Sequence, residues 1–211
     1  PAPDNDYRIE NYVSDLSMVV DHIGIDRFVL VGHSMGGRIS ARYTLEKPER
    51  VNNLVLLSAS GAPVKEESSP PMALRAMKNP FGRFLIRRIW SRSMAKKSLE
   101  GMVFDGSSIT DEEIDRMWDF SIYPGNMDAM FQEFRETWDA LDPADIKEIA
   151  TNTLLIWGKE DSICPESMGI WYDSHLPNST MVVIPNIGHN PHFECPERCS
   201  DEISSWLGAL T

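Results

Sequence analysis

The run Phe28-Val29-Leu30-Val31-Gly32-His33-Ser34-Met35-Gly36-Gly37 constrains this chain more than any other stretch. Four continuous apolar residues with β-branched content read as a strand buried on both faces. Helical spacing resumes from Ile39 to Leu45 before Pro48, so the residues between must turn the chain sharply from strand into helix. A turn that tight forces its central residue, Ser34, into a strained backbone conformation. Glycines two before and two after it, Gly32 and Gly36, remove side chains that would collide there. The expected outcome is a serine hydroxyl exposed at the carboxyl edge of a sheet, beside a helix N-terminus whose amides favour developing negative charge.

Three more short apolar runs read as buried strands parallel to the first: Leu54-Val55-Leu56-Leu57, Thr153-Leu154-Leu155-Ile156-Trp157 and Met181-Val182-Val183-Ile184. Before them, Ile9, Val13, Leu16, Val19, Val20 and Ile23 follow a helical period that Gly24 ends. Helices near 35–46, 165–176 and 194–208 supply crossovers and a final cover. This alternation predicts an α/β fold with a doubly wound sheet of four parallel strands. It stops between Ala62 and Asp142, where Pro70-Pro71, Trp90, Met94, Trp118, Met127, Met130, Phe131, Phe134 and Trp138 stand in helical patterns. Residues 1–61 and 143–211 are therefore read as core, and residues 62–142 as an inserted helical lid. The Met and aromatic residues of the lid fit either the lining of an apolar substrate pocket or packing between lid helices.

Thirty-two acidic residues against 20 basic ones give a formal charge of -12, which disfavours a nucleic-acid partner because phosphate contacts need clustered Lys and Arg. The local exception is Arg83, Arg87, Arg88, Arg92, Lys96 and Lys97, interleaved with Phe84, Leu85, Ile86, Ile89 and Trp90. Spacing of this kind suits a helix whose apolar face covers a pocket, and a membrane-surface helix is the competing reading. Cys164, Cys195 and Cys199 are too few for a disulfide framework and point to reduced thiols in a cytoplasmic protein. No apolar run approaches the ~18 residues that would suggest integral membrane association.

A serine hydroxyl needs a general base to act as a nucleophile near neutral pH. Of the five histidines, His22 lies on the first helix, His33 inside the turn and His175 in a crossover helix. His189 follows the last strand in Asn186-Ile187-Gly188-His189-Asn190-Pro191, which brings it back over Ser34; His192, three residues on, is the competing candidate. The imidazole in turn needs a carboxylate to fix its tautomer. Asp161 follows the third strand in Trp157-Gly158-Lys159-Glu160-Asp161, with Glu160 as the alternative.

Taken together, the turn at 32–37, the run Leu155-Ile156-Trp157-Gly158-Lys159-Glu160-Asp161 and the tail Ile187-Gly188-His189-x-Pro191-His192-x-Glu194-x-Pro196-Glu197 resemble the α/β-hydrolase fold family. They most resemble its lidded group of esterases, enol-lactonases, meta-cleavage-product C–C hydrolases and haloperoxidase-like hydrolases. The resemblance implies a Ser34–Asp161–His189 triad, an oxyanion donor in the Met35 backbone N–H, and no metal or organic cofactor. Hydrolysis of a small ester, lactone or related carbonyl substrate with an apolar part is the expectation, with C–C cleavage, acyl transfer to an alcohol, or ligand binding without catalysis as alternatives. It also implies upstream strands and a second oxyanion donor that precede residue 1. The chain is thus expected to be a fragment of a longer enzyme, inactive or poorly folded alone, with its first strand left as an unpaired sheet edge.

Overall fold

A computed structural model describes residues 6–63, 79–136 and 140–210, apart from the side chains of residues 134–136. Pro70, Pro71 and Trp138, read above as parts of the lid, lie outside the described residues, as does the Phe134 side chain.

Four strands, β1 (Phe28–His33), β2 (Val51–Leu57), β3 (Thr153–Gly158) and β4 (Ser179–Ile184), pair in parallel in the order β1-β2-β3-β4. The side chains of β2 and β3 alternate between two cores, as the period of two in a strand requires. Leu54, Leu56, Leu155 and Trp157 point to one face, beneath α1 (Ile9–His22), α2 (Met35–Glu46) and α8 (Glu166–His175), which contribute Val13, Ala41, Tyr43, Met168 and Tyr172. Val55, Leu57, Leu154 and Ile156 point to the other, covered by Cys199, Ile203 and Trp206 of α10 (Pro196–Ala209). Burial on both faces explains why these strands read as continuous apolar runs.

β1 departs from that expectation. Phe28 and Leu30 pack on the first core, but Val29 and Val31 are 37% and 48% exposed. α10 sits over the β2–β4 side of the sheet, and among the described residues nothing covers the second face of β1.

Between β2 and β3 lie α3 (Pro80–Ile89), α4 (Arg92–Glu100), α5 (Asp111–Ile122), α6 (Asn126–Glu136) and the short α7 (Pro143–Lys147). Local chemistry sets their starts. Asn79 Oδ1 accepts from Gly82 N–H at 2.7 Å, Ser91 caps α4, and Thr110 with Glu113 forms a reciprocal capping box on α5. Ile86, Ala95, Val103, Ile114 and Phe131 are among the buried residues of this insertion. Among the described residues the inward stripe of α3 is Gly82 and Ile86, while Phe81, Phe84, Leu85 and Ile89 are exposed, Phe84 lining an open cleft with Arg83, Arg87 and Phe131. The final helix differs from its expected span, because Pro196 disfavours a helical Cys195 and splits the segment into α9 (Pro191–Glu194) and α10. Among the described residues, no helix is long and apolar enough to cross a membrane.

Candidate active site

β1 delivers Ser34 at its carboxyl end, and the residue stands at φ 53°, ψ −120°, one of three non-glycine residues with positive φ among those described. Backbone bonds hold it there. Ser34 N–H donates to Leu57 O at 3.0 Å, and Ser34 O accepts from Gly37 N–H at 3.0 Å and Ser60 N–H at 2.9 Å. Gly32 is required by crowding, since a Cβ on it would stand 2.5 Å from Gly36 O. Gly36 does not behave as the sequence suggested: a Cβ there meets nothing within 4 Å among the described residues. The second crowded position is Gly37, whose Cβ would collide with Ala59 Cβ as α2 crosses the end of β2.

Asp161 lies in the turn after β3 and is 5% exposed. Its Oδ1 accepts the N–H groups of Ile163 and Cys164, both at 2.9 Å, which leaves Oδ2 aimed at His189 Nδ1, also 2.9 Å away. Glu160 turns elsewhere, its Oε2 accepting Ile187 N–H at 3.2 Å. Gly158 allows the two loops to meet, because a Cβ there would run into Gly188 O.

His189 follows β4 beyond a turn in which Asn186 takes φ 59°, a conformation asparagine tolerates better than most residues. The imidazole is buried, and its Nε2 lies 2.9 Å from Ser34 Oγ. A carboxylate can only accept, so the proton belongs on Nδ1, leaving Nε2 to accept from the Ser34 hydroxyl.

Two further imidazoles stand behind it. The His33 ring centroid is 4.8 Å from that of His189 and 4.5 Å from that of His192, and His33 Nε2 donates to His189 O at 2.8 Å. Burial pushes the His33 imidazole down to about 4, with the neighbouring His189 and His192 adding to the shift, so it donates as a neutral ring. His192 itself is exposed and touches His33 rather than Ser34. His22 lies on exposed α1 surface and His175 bonds within α8. The Cys164 thiol is pushed up to about 12, by burial first and then by Asp161. Glu194 stands in the tail motif, five residues after His189. It binds three backbone N–H groups around His189, donors that carry no mark in a sequence.

A strained serine, a buried imidazole and a buried carboxylate in one hydrogen-bonded line, at the carboxyl ends of parallel strands, define the class of site found in serine-dependent α/β hydrolases. The family model described as alpha/beta hydrolase fold matches residues 1–196, and the chain belongs to that family. It is 33% identical over 205 residues to the uncharacterized hydrolase YugF of Bacillus subtilis, covering 95% of this chain and 72% of the relative. A 2-hydroxy-6-oxononadienedioate/2-hydroxy-6-oxononatrienedioate hydrolase of Paraburkholderia phymatum is 28% identical over 202 residues, covering 92% of this chain and 66% of the relative. The chain thus spans about two thirds to three quarters of the length of these relatives. In three dimensions it is similar to a meta-cleavage product hydrolase from Pseudomonas fluorescens, with a TM-score of 0.83 at 23% identity over 100% of this chain and 75% of the other, which shows the shared fold.

Proposed function

We propose that this chain carries the machinery of a serine hydrolase in which Ser34 is the nucleophile, His189 the general base and Asp161 its orienting carboxylate. The observation that carries the reading is the line from Asp161 Oδ2 through His189 to Ser34 Oγ, with both heavy-atom separations at 2.9 Å. In the first step Ser34 Oγ attacks a substrate carbonyl while its proton passes to His189 Nε2, and Asp161 stabilises the imidazolium. Charge develops on the carbonyl oxygen. Met35 opens α2, so its N–H has no carbonyl one turn back to bond and is the donor assigned to that oxyanion. His189 then protonates the leaving group, and a water activated by the same imidazole releases the acid and restores Ser34.

The substrate class proposed is a small ester or lactone with an apolar part, received beneath the helical insertion acting as a lid. Hydrolytic C–C cleavage of a vinylogous diketone is the second reading, favoured by the names of the Paraburkholderia and Pseudomonas proteins. It uses the same serine–histidine–aspartate line, with a carbon leaving group in place of an alkoxide. Initial rates on a series of aryl esters and on a 2-hydroxy-6-oxo-dienoate, with Ser34→Ala as control, test both. Ester turnover that vanishes in Ser34→Ala supports the first reading, and preference for the dienoate the second. Equal rates in the native protein and Ser34→Ala on every substrate reject a serine hydrolase.

A further inference from the structure

The loop that carries His189 is fixed by bonds that cross the chain, and most converge on one carboxylate. Glu194 Oε2 accepts Gly188 N–H at 2.9 Å and Phe104 N–H at 2.7 Å, while Oε1 accepts Asn190 N–H at 3.0 Å. The amide between them, His189 N–H, donates to Met102 O at 2.8 Å. Three consecutive N–H groups around the base are therefore bound either by Glu194 or by the stretch of the insertion that Glu194 also binds. That stretch, residues 101–104, joins α4 to the turn before α5 and lies hard against the loop. A Cβ on Gly188 would stand 2.8 Å from Phe104 N and 2.9 Å from Met102 O. The acid loop touches it too, through Ser162 Oγ donating to Gly101 O at 3.1 Å.

We propose that Glu194 is a positioning residue that clamps the His189 loop to residues 101–104 of the helical insertion, so that the seat of the base and the foot of the insertion move as one unit. The inference deepens the hydrolase reading and rests on it for its catalytic half. Geometry demands a carboxylate here, because the three facing groups are all donors and an ionised carboxylate has two accepting oxygens and no proton of its own. Glutamine offers one accepting oxygen and turns N–H groups toward the donors at the other. Its NH2 group must then face either Asn190 N–H or the pair Gly188 N–H and Phe104 N–H, donor against donor, which pushes the side chain out of the clamp.

Hydrogen exchange followed by mass spectrometry on the full protein tests the clamp directly, comparing the native form with Glu194→Gln. Peptides covering 101–105 and 187–191 exchange together, each about tenfold faster in the variant, while β3 is unchanged. In parallel, kcat for an aryl ester per Ser34 titrated with a fluorophosphonate falls about 10–100-fold with KM nearly constant, as expected for a displaced base. Glu194→Asp, which keeps both oxygens on a shorter stem, recovers part of that loss, and it carries the exchange test if Glu194→Gln does not fold. Faster exchange in one segment only, or in neither, overturns the clamp, and an unchanged kcat per titrated site overturns the positioning role. If native Ser34 takes no label, the hydrolase reading fails while the exchange result still decides the clamp.

Discussion

Ser34 depends on two conditions that belong to single residues: a backbone held at φ 53° and an imidazole 2.9 Å from its oxygen. Removing the oxygen removes the proposed nucleophile, so Ser34→Ala is expected to lower kcat by about 10⁴-fold or more. Asp161→Asn preserves shape but lets His189 take the wrong tautomer, and a loss on the order of 10⁴-fold in kcat at near-native stability is expected. Steady-state kinetics beside thermal denaturation checks both. His33 gives a separate expectation for stability. Its folded imidazole titrates at about 4, below the ordinary 6.5, so between these values the unfolded chain binds more protons than the folded one. Stability therefore falls as pH drops from about 6.5 to about 4, and it is fully present above that window. His192 is also lowered, by partial desolvation and then His189, and it contributes in the same direction. Denaturant midpoints across this range should show a shallower slope for His33→Gln, and an unchanged slope would contradict the assignment.

At the scale of elements, the glycines separate what a pattern can show from what packing decides. Spacing alone marked Gly32 and Gly36 as equivalent partners of the turn, but only Gly32 meets a neighbour, while Gly37 is crowded by Ala59. Gly36→Ala is expected to fold with stability within about 1 kcal/mol of native, the range of substitutions that create no clash. Gly188→Ala must displace residues 102–104 and should cost about 1–3 kcal/mol, with activity lost as His189 shifts. Chemical denaturation of the two variants checks the contrast. The strands, the helices after them and the order serine, aspartate, histidine were legible because burial on two faces and the strand–turn–helix junction leave marks in consecutive residues. Which faces of β1 and α3 stay exposed among the described residues was not legible, because an apolar side chain records its preference and not the partner that meets it. Glu194 was hidden for another reason: its partners are backbone amides, which every residue but proline has.

At the largest scale, the described residues form a sheet of four strands with helices on both faces and an insertion tied to the two loops that hold Asp161 and His189. The central claim, that this fold assembles a working serine nucleophile, is tested most directly by intact-mass detection of a fluorophosphonate adduct on the full protein. One adduct per chain, absent in Ser34→Ala and slowed in Asp161→Asn, is the predicted result. A folded native protein that takes no adduct, or one that labels equally well without Ser34, would contradict it.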